Sequence, residues 1–278
     1  MAIVTKGSGG SIKFSGTGGG ISITSSGGGG GGGGGGFDPS SLGNLSSWFK
    51  ADALGLSNGA TVTSWTDSAG GNTLNGYGGT PTYNASDAQF GNMPSVSFNG
   101  SSFLYKSSPS GLPSGATAYS MYVVAYADNT NSDSTFTILG WGQAATMAQA
   151  SVSSLQPAWG GPAYFINYNT GDYAVKKNDA HGPPAVVISV SLSAGAHPAT
   201  TELYVNDQVG TVQPGYAGYG YTLSINPVML VIGSAVGDLG IRNFCGKFAE
   251  GLIYSEQHDN TKRLQVTQYL ANKYGISI

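Results

Sequence analysis

From about Phe37 onward, apolar and polar residues alternate over short runs, and clusters of Gly, Pro, Asn, Asp and Ser separate one run from the next. A period of two with regularly spaced turn signals is the pattern of an all-β sandwich. It predicts strands near Thr61–Trp65, Ser95–Phe98, Tyr119–Ala127, Thr135–Trp141, Ala163–Tyr168, Ala185–Leu192, Thr201–Val205, Val228–Gly233 and Gly246–Tyr254. Met121–Tyr126 and Val186–Val190 are almost continuously apolar, so both are expected as central strands covered on two faces. Asn206-Asp207 between two apolar runs reads as a tight hairpin turn without its usual glycine. The period changes once, near the C-terminus. There Leu264, Tyr269 and Leu270, with Val266 nearby, share roughly one face of a helix over about Asp259–Lys273, with Asp259 or Asn260 as N-cap and Gly275 as the stop. Such a helix should lie flat on the sandwich as a clasp.

Residues 1–36 have a different texture. Ser11-Ile-Lys-Phe-Ser15 and Ile21-Ser-Ile-Thr-Ser25 flank the glycine turn Gly16–Gly20 as a plausible short hairpin, and Gly27–Gly36 is unbroken glycine. In isolation such a run is a flexible coil, and it becomes ordered only where something holds it. The expected organisation is therefore a glycine-rich arm over 1–36, for anchoring or assembly, and a β-sandwich domain over 37–278. A plain linker explains the same arm.

Composition narrows the partners. Hydrophobic residues make up 40% and aromatics 11%, enough for a real core, but only 9% of residues are charged, against about 25% in an average soluble domain. Ser, Thr, Asn and Gly must keep the surface wet. A net charge of −3 with 11 Lys and Arg excludes the phosphate neutralisation that nucleic-acid binding needs. No run has the length and apolarity to cross a bilayer. Met1–Lys6 does not resemble a secretory signal, so synthesis in the cytoplasm and release by lysis are expected. The single Cys245, in an apolar run, is expected as a buried thiol.

Several motifs carry less than they promise. Gly55-Leu-Ser-Asn-Gly59 fits the spacing of a nucleophile elbow, but a strand rather than a helix follows it. His181, His197 and His258 have no metal spacing and are expected as solvated histidines. Asp128, Asn129, Asn131 and Asp133 offer oxygen donors suited to calcium, although a polar hairpin tip explains them equally. No other cofactor is implied. Two groups of aromatics are the candidates for ligand contact: Trp141, Trp159, Tyr164, Tyr168 and Tyr173, and then Tyr216, Tyr219 and Tyr221. Tyr and Trp suit sugar rings and protein interfaces alike, while strand alternation would bury several of them.

Leu45-Ser-Ser-Trp-Phe-Lys-Ala-Asp-Ala53, Val62-Thr-Ser-Trp65 with Thr66–Gly70, Pro94–Gly100 with Phe103-Leu104, and Gly246–Tyr254 leading through Arg263 to Lys273-Tyr-Gly-Ile276 resemble the concanavalin A-like, laminin-G-like jelly rolls of bacterial and bacteriophage surface proteins. The resemblance spans almost all of 37–278 and implies a two-sheet jelly-roll sandwich. That scaffold hosts sugar binders, glycosidases and structural modules. The paired carboxylates of its glycosidase branches have no counterpart run here, and Glu202, Glu250 and Glu256 are the three glutamates. Glu250, in the closing strand, reads as structural. The expectation is a non-catalytic phage virion surface protein, a capsid decoration, head fibre or tail-fibre module. Its arm would dock to other virion proteins, it would form a homo-oligomer, and its lectin-like body would touch host surface polysaccharide. A free or cell-surface lectin is the alternative, and a glycoside hydrolase a weaker one.

Overall fold

The structure is a computed structural model that describes residues 36–128, 135–143, 149–155, 163–167, 173–178, 185–193, 196–197, 200–212, 221–237, 239–240 and 242–278. The arm over 1–35 lies outside the described residues, and Phe37–Ile278 forms one unit by its internal contacts. In chain order its strands are β1 (Leu45–Lys50), β2 (Ser64–Thr66), β3 (Thr73–Tyr77), β4 (Thr82–Asp87), β5 (Met93–Asn99), β6 (Phe103–Ser107), β7 (Tyr119–Ala127), β8 (Thr135–Gly142), β9 (Gln149–Leu155) and β10 (Ala163–Asn167). There follow β11 (Tyr173–Asn178), β12 (Val186–Leu192), β13 (Ala196–His197), β14 (Thr201–Val205), β15 (Gln208–Val209), β16 (Thr211–Val212), β17 (Tyr221–Thr222), β18 (Met229–Ile232) and β19 (Cys245–Tyr254), then the helix α1 (Asn260–Tyr274).

Seventeen of these strands form two antiparallel sheets, and β13 and β17 pair as a separate two-stranded ribbon. The first runs β15-β14-β12-β7-β19-β5-β4, with β1 also paired to β19; the second runs β16-β11-β10-β9-β8-β18-β6-β3-β2. The chain is thus an all-β sandwich with one C-terminal helix. Side chains from the facing surfaces fill the interior, as alternation requires. At its centre Trp65 lies edge-on to Phe49 and Phe248, with ring centroids 5.8 and 5.7 Å away. β7 and β12 are neighbours in the first sheet and buried almost throughout, because the second sheet covers one face and α1 the other. The hairpin between β14 and β15 turns on Asn206 and Asp207 with φ of 47° and 60°, the left-handed pair that a tight primed turn demands.

The helix begins where the sequence placed it, with Asp259 as the N-cap accepting from the Lys262 amide at 2.8 Å. It ends on Gly275 at φ 65°, where the Ile276 amide reaches back to the Ala271 carbonyl. Its buried face is rotated from the expected one. Arg263, Val266, Thr267, Leu270, Ala271 and Tyr274 are buried, whereas Leu264 and Tyr269 are half-buried. Cys245 is half-buried too, because it opens β19 at the sheet margin rather than lying inside it.

Two local devices position the functional surfaces. The loop from β2 to β3 is tied by Asp67, whose carboxylate accepts backbone amides of Ala69, Gly70, Gly71 and Asn72. A side chain at Gly70 would overlap the Ser46 carbonyl, so the loop can close only on glycine. In β19 the register against β7 slips between Phe248 and Glu250. This bulge turns Ala249 and Glu250 together toward the helix, while Phe248 and Ile253 keep facing the core.

Candidate functional site

The sequence-predicted aromatics divide. Trp141 is fully buried on β8, donates its indole N–H to the Pro113 carbonyl at 3.0 Å and lies edge-on to Tyr119. Tyr164 is buried on the core face of β10. Neither ring can meet a ligand, and the burial expected from alternation is what these two show. Tyr173 opens β11 and Tyr221 opens β17. Trp159, Tyr168, Tyr216 and Tyr219 lie outside the described residues, as do Asn129, Asn131 and Asp133 of the calcium candidate. Asp128 is half-buried at the end of β7, its amide bonded to the Cys245 carbonyl. Among the described residues no group of three or more His, Cys, Asp or Glu could hold a metal ion.

The site that sequence reasoning missed is on the outer face of the second sheet. Leu74 of β3, Trp65 of β2 and Leu104 of β6 point into the core, so their alternate neighbours point outward. Ser64 and Thr66, Thr73, Asn75 and Tyr77, and Phe103, Tyr105 and Ser107 therefore share one surface. Pairing sets Ser64 beside Asn75, Asn75 beside Tyr105, and Tyr77 beside Phe103. Tyr77 is 57% exposed and packs against two neighbouring rings. Phe103, fully buried beneath, approaches at 5.4 Å, and Tyr105 stands perpendicular at 5.7 Å and 86°. On the same face, the exposed Asn75 lies one alternate position along β3 from Tyr77, and at the far end of the strand the hydroxyls of Thr66 and Thr73 bond each other at 2.8 Å. A packed, exposed ring with carboxamide and hydroxyl groups along the same face is a flat apolar platform with a polar margin.

The opposite side of the molecule uses its polar groups differently. Glu250 is wholly buried beneath α1 and accepts from Trp48 Nε1 at 2.6 Å, Lys273 Nζ at 2.7 Å and the Tyr274 hydroxyl at 2.7 Å. Lys273 also pairs with Asp52 at 3.0 Å. Burial by itself would lower the Lys273 pKa, but the touching Glu250 carboxylate outweighs it and raises the pKa above its usual value. Burial first, and then the charge of Glu250, push the Tyr274 hydroxyl far up. Glu250 thus fastens the helix to β1 and β19, the structural role expected of it.

His258 contradicts the expectation of a solvated histidine. Its side chain has no exposure, with Nδ1 2.7 Å from the Tyr122 hydroxyl and Nε2 3.4 Å from Glu256. The Tyr254 ring lies 4.2 Å away, and the backbone is held by Ser120 and Ser191. Burial drives its pKa down to about 4, against the opposing pull of Glu256. The ring is therefore neutral at pH 7. A carboxylate only accepts, so the nearness of Glu256 favours the proton on Nε2, and with that tautomer the Tyr122 hydroxyl donates to Nδ1.

Neither a protein-family model nor a curated protein sequence matches the chain. Solved structures do match its fold. An arabinofuranosidase complexed with arabinofuranosyl-α-1,2-xylobiose is 14% identical with a TM-score of 0.58, over 77% of this chain and 51% of that one. Domain 4 of AbnA, an extracellular GH43 arabinanase from Geobacillus stearothermophilus, in complex with arabinotriose, is 16% identical with a TM-score of 0.53, over 81% of this chain and 98% of the domain. Trypanosoma rangeli sialidase in complex with sialic acid is 12% identical with a TM-score of 0.52, over 84% of this chain and 34% of that one. The chain therefore spans about half of the arabinofuranosidase and a third of the sialidase, and at such identities the likeness is one of fold. It overturns the expectation of a non-catalytic virion surface protein: the structural neighbours are glycoside hydrolases and a sialidase, so a two-sheet sandwich of this kind is no argument for a phage role or against enzyme activity.

Proposed function

We propose that the chain is a carbohydrate-active β-sandwich that binds polysaccharide on the Tyr77 shelf. The observation that carries this reading is the exposed Tyr77 ring, packed on Phe103 and Tyr105, with Asn75 and then the Thr66–Thr73 hydroxyl pair following along the same face. A sugar ring has an apolar face of C–H groups and a rim of hydroxyls. An immobilised aromatic ring takes the face at little cost in conformational entropy, and neighbouring amides and hydroxyls take the rim. Arabinanase domain 4, named with bound arabinotriose and matched over 98% of its length, supports the reading. Titration of arabinan and xylan oligosaccharides into the wild type and Tyr77→Ala tests it. Binding by the wild type that weakens about tenfold or more in the variant is expected, and equal affinities would refute the shelf.

Hydrolysis of a glycosidic bond is the second reading, favoured by the likeness to the arabinofuranosidase across 77% of this chain. The carboxylates doing this work would be others than Glu250, which is out of a substrate's reach and committed to three donors. Release of reducing sugar from arabinan, measured with the binding, decides it: turnover that survives Glu250→Gln is the outcome this reading expects.

A further inference from the structure

We infer that the shelf takes an uncharged glycan chain and discriminates against uronate- or sialate-containing ones, an inference that rests on the carbohydrate reading above. The four adjacent strands β2, β3, β6 and β18 carry one charged residue, Lys106. Lys106 pairs with Leu230 and alternates with the outward Tyr105 and Ser107, so it belongs to the face opposite the shelf. What the shelf presents is one carboxamide, hydroxyls and rings: Asn75, Thr66, Thr73, Tyr77 and Tyr105. A sugar carboxylate laid against a tyrosine ring loses part of its hydration and needs a charge-assisted partner to offset the loss. Hydroxyl groups need no such partner. Asn75 both donates and accepts, and the Thr66–Thr73 pair, in which one hydroxyl donates to the other, leaves a second hydroxyl proton for the ligand.

The spacing suits a chain rather than a single sugar. Thr73, Asn75 and Tyr77 lie at alternate positions of β3, about 7 Å apart each step along a strand. A ring stacked on Tyr77 therefore leaves the sugars that follow it in the glycan to pass over Asn75 and then Thr73. The outward positions of these four strands give an acidic polymer no cation to meet.

The test is titration of the full chain and of Tyr77→Ala with linear neutral arabino- and xylo-oligosaccharides, and with oligogalacturonate and oligosialic acid of matched length, at low ionic strength. Neutral ligands are expected to bind the wild type at least about tenfold more tightly than acidic ones, and to lose about tenfold or more in the variant. Acidic oligomers binding as tightly as neutral ones, with the same dependence on Tyr77, would overturn the discrimination and leave the carbohydrate reading standing. If no oligosaccharide of either kind binds, both fall. Tyr77 is more than half exposed but packs on Phe103 and Tyr105, so its removal should lower the melting temperature by only about 2–4 °C, and a loss of affinity measured where both proteins are folded reports on the shelf.

Discussion

The two outer surfaces of this sandwich are built from opposite chemistry. The helix-covered face of the first sheet concentrates charge where water is excluded: Glu250, Lys273 and Arg263 are all buried or nearly so. On the Tyr77 shelf of the second sheet Tyr77, Asn75 and Thr66 are open to water, and the outward positions of β2, β3 and β6 carry no charge. In a chain with only 9% charged residues, this division shows what charge is for. A buried, fully bonded carboxylate fixes one docking of a helix with high directional demand, whereas recognition of an uncharged polyol needs rings and hydroxyls. The faces should therefore be separable by mutation: changes beneath the helix should move stability, and changes on the shelf should move binding.

The largest effect belongs to Glu250. Replacing it with Ala would leave the Lys273 ammonium, the Trp48 N–H and the Tyr274 hydroxyl without their shared acceptor. Breaking a buried pair of this kind costs about 3–5 kcal/mol. Denaturant unfolding should show that loss, with the affinity of the remaining folded protein for oligosaccharide unchanged.

Next comes the acid dependence set by His258. Its folded pKa, about 4, lies below the roughly 6.5 of an exposed histidine, so the unfolded chain binds the proton more readily. The stability due to this residue is complete above pH 6.5 and is lost as pH falls from there to about 4, by about 3 kcal/mol. A variant His258→Gln should flatten unfolding free energy across that interval. Below it, hydrogen bonds from Ser95 and Gln89 and the ion pair with Lys247 hold the Asp87 carboxyl under its usual pKa despite its burial. A further decline in the range where Asp87 protonates should therefore persist in the variant.

A smaller effect tests the clasp itself. Asp259→Ala removes the cap of the Lys262 amide and should cost about 1 kcal/mol, again without touching affinity. On the shelf, Asn75→Ala removes one donor and acceptor beside Tyr77 and should weaken neutral oligosaccharide binding about threefold to tenfold, with no measurable change in unfolding.

Much of the fold is legible in the sequence, and the site is mostly not, for one reason. β7, β12 and β14 are long or strongly apolar and are bounded as the pattern predicts, except that β12 starts one residue later, at Val186. The helix carries its own cap and stop, although Arg263 and Thr267 on its buried face do not read as apolar positions. By contrast β3, with Asn75 and Gly76 inside it, has little strand signal of its own and exists because β2 and β6 hold it. β2 itself shifts to Ser64–Thr66, leaving Thr61 with a single bridge to Thr82. Tyr77 stands alone in a glycine-rich stretch, whereas Trp141 and Tyr164 belong to aromatic groups that look functional and prove to be core. The usable signal was the alternation outward from Leu74, which puts Thr73, Asn75 and Tyr77 on one face. Glu250 could not be aimed from sequence, since strict alternation misses the bulge at Ala249. His258 is buried by Tyr122 and Tyr254, which β7 and β19 turn toward the helix.

The most direct test of this division of labour is one titration of a linear neutral oligosaccharide into wild type, Tyr77→Ala and Asp259→Ala, with each protein's unfolding free energy measured in parallel. Tyr77→Ala is expected to lose about tenfold or more in affinity with only about 1 kcal/mol of stability, from its contacts with Phe103 and Tyr105, while Asp259→Ala is expected to lose about the same stability at unchanged affinity. Equal affinity for wild type and Tyr77→Ala, or a loss of affinity in Asp259→Ala as large as in Tyr77→Ala, would contradict it.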